Sequence, residues 1–166
     1  MSDADRAPAA PGAAPGRAAA RPLSLKARAL RLLAQREHSR LELERKLQPH
    51  ADDPVALTEA LDALQAKGFI NDERVADSVL HRRAGKLGTA RVRAELQAKG
   101  LDHAVVQAAV EQLRGTEVAR AREVWQRKFG QPPADANERA KQMRFLAARG
   151  FGAEAIRRVV SGADDD

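Results

Sequence analysis

The chain has 166 residues with no cysteine, no tyrosine, one tryptophan and four phenylalanines, room for one compact domain or a short array of small repeats. Without cysteine it forms no disulfide, thiolate zinc site, iron–sulfur cluster or cysteine nucleophile, and no apolar run approaches the ~20 residues of a membrane span. A net charge of +6 favours a polyanionic partner or an acidic surface on one, while 3% aromatic residues argue against a base-stacking platform.

Residues 1–22 are rich in Ala, Pro and Gly and lack the apolar side chains that offset ordering entropy, so a disordered tail is expected. No charged-then-apolar leader opens the chain, and a cytoplasmic location is expected. Leu25, Ala29, Leu32 and Leu33 then mark one face of a helix. Ser39 and Glu42 form a capping box for a second helix through Leu43 and Leu47, which Pro49 ends. Asp53-Pro54 starts a third, carrying Leu57, Leu61 and Leu64 to Gly68. Asn71 caps a fourth with Val75, Ala76, Val79 and Leu80 inward, broken by Gly85 and Gly88.

A fifth helix from Thr89 carries Val92 and Leu96 on one side. Ala90, Ala94 and Ala98 lie opposite and invite close approach of a second neighbour. Asp102 caps a sixth with Val106, Ala109, Val110 and Leu113 inward. Val118, Ala121 and Trp125 line a seventh, Met143, Leu146 and Ala147 an eighth, and Ile156, Val159 and Val160 a ninth. Trp125, Phe129, Phe145 and Phe151 read as core. Lys67-Gly68-Phe69, Lys99-Gly100-Leu101 and Arg149-Gly150-Phe151 share a helix-ending signature in which the apolar residue packs back on its helix.

The predicted fold is therefore all-α: three tandem three-helix repeats at 23–69, 70–115 and 116–161, forming an elongated, curved array, followed by an acidic tail at 162–166. No group has enough apolar side chains for a large core of its own, so neighbours are expected to bury one another's faces.

Charge alternates along the chain. Residues 24–47 carry +4, 48–80 carry −5, 81–100 carry +5 and 117–150 carry +4. A protein partner bearing both signs suits this alternation better than a uniform polyanion. The densest basic zone holds Arg82, Arg83, Lys86, Arg91, Arg93 and Lys99 against one acid. Part of it is a glycine-flanked turn entering a helix, whose backbone N–H groups also suit an anion. A second basic set is Lys141, Arg144, Arg149, Arg157 and Arg158, which could face one direction. Solvated helix faces are the plain alternative for both sets. Arg127-Lys128 reads as a cation pair at a helix C-terminus rather than a site. His38, His50, His81 and His103 have no metal-ligand spacing, and no catalytic constellation stands out. No enzyme activity, metal or cofactor is expected.

Four stretches carry a family resemblance: Ala34 to Ser39 with Leu43-Glu44-Arg45-Lys46-Leu47; Lys67-Gly68-Phe69-Ile70-Asn71-Asp72-Glu73-Arg74-Val75-Ala76; Arg82 through Gly88 to Arg91-Val92-Arg93-Ala94-Glu95-Leu96 and on to Leu101; and Arg144-Phe145-Leu146-Ala147-Ala148-Arg149-Gly150-Phe151 with Ile156. In order and spacing the chain resembles the bacterial RecX regulatory proteins over roughly 24–161. Asn71 stands where an Asp is common, and Lys86 where Gly is often found. The resemblance implies three tandem three-helix repeats and a non-enzymatic protein that binds the RecA recombinase and its filament on DNA. It also implies modulation, usually inhibition, of strand exchange, ATP hydrolysis and co-protease action, in DNA repair and the SOS response. The family's basic signature falls on Arg82, Arg91, Lys99 and Arg149.

A monomer with weak nonspecific DNA binding is expected, the latter falling steeply with salt. The alternative is a direct nucleic-acid-binding regulator built from helix-turn-helix-like units. No helix, however, shows a base-reading Asn/Gln/Arg cluster at its N-terminal end.

Overall fold

The computed structural model describes residues 20–162. The proposed tails therefore lie almost wholly outside the described residues. Within them the chain forms nine α-helices and one 3-10 turn, with no strand. The helices are α1 (Leu25–Gln35), α2 (Arg40–Leu47), α3 (Pro54–Ala66), α4 (Asp72–Arg83), α5 (Thr89–Ala98), α6 (His103–Arg114), α7 (Glu117–Lys128), α8 (Ala136–Ala148) and α9 (Ala153–Ser161). Pro49 sits inside the 3-10 turn Gln48–His50, so α2 closes at Leu47.

Local chemistry places the boundaries. Ser39 Oγ accepts from the Glu42 amide while the Glu42 carboxylate accepts from the Ser39 amide, completing the capping box. Asp53, Asn71 and Asp102 each accept from an amide of the first turn they open. Positive φ at Gly68 and Gly150 lets Phe69 N–H reach the Leu64 carbonyl and Phe151 N–H the Leu146 carbonyl. Phe151 then packs back on its helix as expected. Phe69 does not: it is 46% exposed, and Ile70 behind it fills the core instead.

Every close helix pair lies within one consecutive triplet, and the triplets follow one another as a helical repeat array. Each triplet has its own apolar cluster. Leu43, Leu47, Leu57, Leu61 and Leu64 anchor the first. Val75, Val79, Val92, Leu96 and Val110 anchor the second, and Trp125, Leu146, Phe151, Ile156 and Val159 the third. The expectation that neighbours share apolar faces fails here. Apolar side chains are spent inside each triplet, and the seams between triplets are largely polar. The side chains of Ala90, Ala94 and Ala98 bury no face against a second neighbour; all three residues are exposed.

Close approach occurs instead at Gly88 and Gly150. A Cβ on Gly88 would run into the Gly150 carbonyl, and one on Gly150 into the Arg91 side chain. The Gly88 amide donates to the Arg149 carbonyl (2.8 Å) and the Ala90 amide to the Gly150 carbonyl (3.2 Å), tying α5 to the turn between α8 and α9.

Candidate partner-binding cleft

The seam between the second and third triplets is built around one buried cation. Arg120 of α7 is 9% exposed. Its guanidinium donates to the carbonyls of Leu87 (2.6 Å), Ala84 (3.0 Å) and Leu113 (3.0 Å) and to the hydroxyls of Thr116 and Thr89. Burial pulls its pKa below the usual arginine value, the Glu117 carboxylate opposing, and it stays charged. One turn earlier, Glu117 Oε1 accepts from the amides of Thr89 (3.2 Å) and Gly152 (3.3 Å), so a single carboxylate caps the starts of α5 and α9. The α5 N-terminus is therefore not open to an external anion as expected: Glu117 and two backbone carbonyls fill it.

With the seam fixed, the C-terminal ends of α4, α7 and α8 converge on a cleft of about 590 Å³. Its α4 side carries His81 and Arg82 and continues into Gly85 and Lys86. From α7 come Val124, Arg127 and Lys128, and from the end of α8 come Phe145 and Arg149. Among the described residues no carboxylate lines it. The negative ends of three helix dipoles hold these cations in place. Arg127 donates to the Gly85 carbonyl (2.7 Å), bracing one wall against the other. The Arg149 guanidinium lies 4.6 Å from the Phe145 ring centre and Lys128 Nζ 5.7 Å from it. Phe129 meets Phe145 edge to face at 5.3 Å.

The cleft thus unites Arg82, Lys86 and Arg149 of the nominated residues and scatters the others. Arg83 pairs with Glu95 (3.2 Å) away from it. Arg91 packs on Gly150 and donates to the Ala148 carbonyl (2.8 Å), holding the seam. Lys99 reaches back to Glu42 of the first triplet at 2.7 Å, with both side chains about 15% exposed. Arg93 and Arg144 are exposed on α5 and α8. Lys141 lines a separate small recess beside Phe129 and Gln142. Arg157 pairs with Glu154, and Arg158 is half-buried on the same helix. The second basic set therefore does not act as one face.

Arg127, Lys128 and Phe145 were absent from the sequence-based set. The cation pair does end α7, as read, but only the fold sets that end beside α4. Arg120 left a usable signal, since it stands four residues before Val124 on the stripe that is actually buried: Arg120, Ala121, Val124, Trp125.

The seam between the first and second triplets joins two ion pairs to the Leu41 side chain, which lies against Gly100. Glu42 meets Lys99 and Arg36, both at 2.7 Å, and Arg74 meets Glu37 at 3.0 Å. Burial alone would raise the Glu42 pKa, but hydrogen bonds from Lys99 and Arg36 overcome it and hold the carboxyl at about 2. His38, 1% exposed, approaches the Arg36 carbonyl through Nδ1 and Lys46 Nζ through Nε2 (3.1 Å). Desolvation lowers its pKa, so it is a neutral structural histidine. No group of His, Asp and Glu among the described residues is arranged to hold a metal ion, and no described helix is long and apolar enough to cross a membrane.

Comparison with known proteins agrees with this architecture. Residues 71–110 match a family model described as RecX, second three-helix domain, and residues 116–160 one described as RecX, third three-helix domain. The regulatory protein RecX of Leptothrix cholodnii is 54% identical over 144 residues, 87% of this chain and 92% of that protein. That of Ralstonia pickettii is 47% identical, covering 87% and 91%. A crystal structure of regulatory protein RecX superposes with a TM-score of 0.69 at 18% identity over 83% of this chain and 71% of that one. RecX from Lactobacillus salivarius gives 0.66 at 21%, covering 83% and 93%. These two show the shared fold, and the sequence relatives show the kinship: the chain belongs to the RecX family of regulatory proteins.

Proposed function

We propose that this chain regulates the RecA recombinase. It binds the RecA filament on DNA as a cytoplasmic monomer and mainly inhibits ATP hydrolysis, strand exchange and co-protease action in DNA repair and the SOS response, without catalysis of its own. The observation that carries this reading is the acid-free cleft, where Arg82, Lys86, Arg127, Lys128 and Arg149 converge from two triplets. An array with such a cleft on one seam and the acidic α3–α4 stretch elsewhere suits a repeating partner surface of mixed charge. By bridging neighbouring protomers it would favour one filament state over another. We further propose that 23–69, 70–115 and 116–161 are its units.

The test is ATP hydrolysis by RecA on single-stranded DNA. Arg82→Glu with Lys86→Glu should abolish inhibition while helical CD is retained, because neither side chain holds a seam. Unchanged inhibition would sink the cleft assignment. The rival, direct nucleic-acid binding, predicts equal affinity for bare DNA and for the preformed filament at matched ionic strength.

A further inference from the structure

The cleft offers more than charge. Val124 and Phe145 give it an apolar floor, and the Arg149 guanidinium lies 4.6 Å from the Phe145 ring centre. A guanidinium presents a planar fork of N–H donors suited to a carboxylate or a phosphate.

Three features favour a peptide over a polynucleotide. The apolar floor rewards an aliphatic or aromatic side chain and does nothing for a sugar-phosphate backbone. Among the described residues Phe145 is the one phenyl ring lining the cleft, which offers successive bases no run of stacking surfaces. The cations gather around one open cleft of about 590 Å³ between two triplets, rather than forming a track along which phosphates could run.

We propose that this cleft seats an acidic peptide segment of a protein partner. An apolar side chain lies against Phe145 and Val124, and flanking carboxylates meet Arg82, Lys86 and Arg149. The proposal deepens the regulatory reading and rests on it only for the partner's identity.

Fluorescence anisotropy tests it with the full chain and three fluorescein-labelled probes at one ionic strength. The first is a peptide in which Asp and Glu residues flank a Leu-Phe pair. The second is the same peptide with Gly-Ser in place of that pair, and the third an oligothymidylate of equal charge. The first should bind about tenfold more tightly than either other probe. Arg82→Glu with Lys86→Glu should weaken binding of all three, and Phe145→Ala should bring the first peptide down to the level of the second. The unmutated chain decides the matter even if Phe145→Ala unfolds. Equal affinity for the two peptides, tighter binding of the oligonucleotide, or no peptide binding overturns the proposal. Parallel RecA ATPase assays separate the two readings. Inhibition without peptide binding defeats only this inference; peptide binding without inhibition defeats only the regulatory reading.

Discussion

Arg120 places a full charge where an apolar array would be expected to put a leucine. Its five donors meet five acceptors drawn from α6, the cap residue before α7, the loop between α4 and α5, and the start of α5. Arg120→Ala leaves the Ala84 and Leu87 carbonyls unpaired, and each orphaned buried acceptor costs about 1–3 kcal/mol. Chemical denaturation should therefore show a loss of about 3 kcal/mol or more. Arg120→Lys should rescue little of it, since a compact ammonium cannot span the same carbonyls.

In the first triplet, His38 and Glu42 predict how stability depends on pH. The folded pKa of His38 is depressed, so the unfolded chain binds its proton more readily. Stability from this group is complete above the ordinary value of 6.5 and lost as pH falls below it. Glu42, held at about 2 against an ordinary 4.5, contributes fully above 4.5 and loses its contribution as pH drops toward 2. Thermal unfolding across pH should show two declining steps. His38→Gln should flatten the upper one and Glu42→Gln the lower.

At the level of elements, two glycines from different triplets meet with no room for a side chain between them. Gly88→Ala would drive a methyl into the Gly150 carbonyl, with no flexible side chain to yield, and should cost about 3 kcal/mol. Gly85→Ala is the control: a Cβ there meets nothing within 4 Å, so its unfolding midpoint should hold or rise by roughly 0.5 kcal/mol equivalent. The contrast bears on what a sequence discloses. The caps at Ser39, Asp53, Asn71 and Asp102 were legible because capping is settled within three residues. The inward faces of α4 and α6 were legible because a helix repeats its face every turn. The exposed alanine face of α5 misled, since small residues permit close packing without supplying a neighbour. Gly88 reads as a chain break until Gly150 is seen against it. The cleft shared this fate: Arg82 and Arg149 were visible as basic residues, but their meeting with Lys128 depends on how two triplets dock.

Across the whole molecule the two seams differ in kind. The second and third triplets are joined by backbone hydrogen bonds, glycine contact, Arg120 and Glu117, all insensitive to moderate salt. The first and second meet through the Leu41 side chain against Gly100, the shielded pair Lys99–Glu42, and Arg74–Glu37, a half-exposed pair open to screening. The chain should therefore loosen first around residues 67–71, where Lys67 and Phe69 are already exposed. Limited trypsin digestion reads this directly. Lys99→Met leaves Glu42 paired only within its own triplet and removes the shielded ion pair across the seam, so cleavage after Lys67 should accelerate several-fold. A fragment spanning α4 to α9 should persist, because the contacts that hold its two triplets together are untouched. Raising the salt should speed the same cut in the unmutated chain. Arg120→Ala should redirect cleavage to Lys86 in the loop that Arg120 ties down. If Lys99→Met instead exposed Lys86 as readily as Lys67, the two seams would be energetically linked and the array would yield as one body.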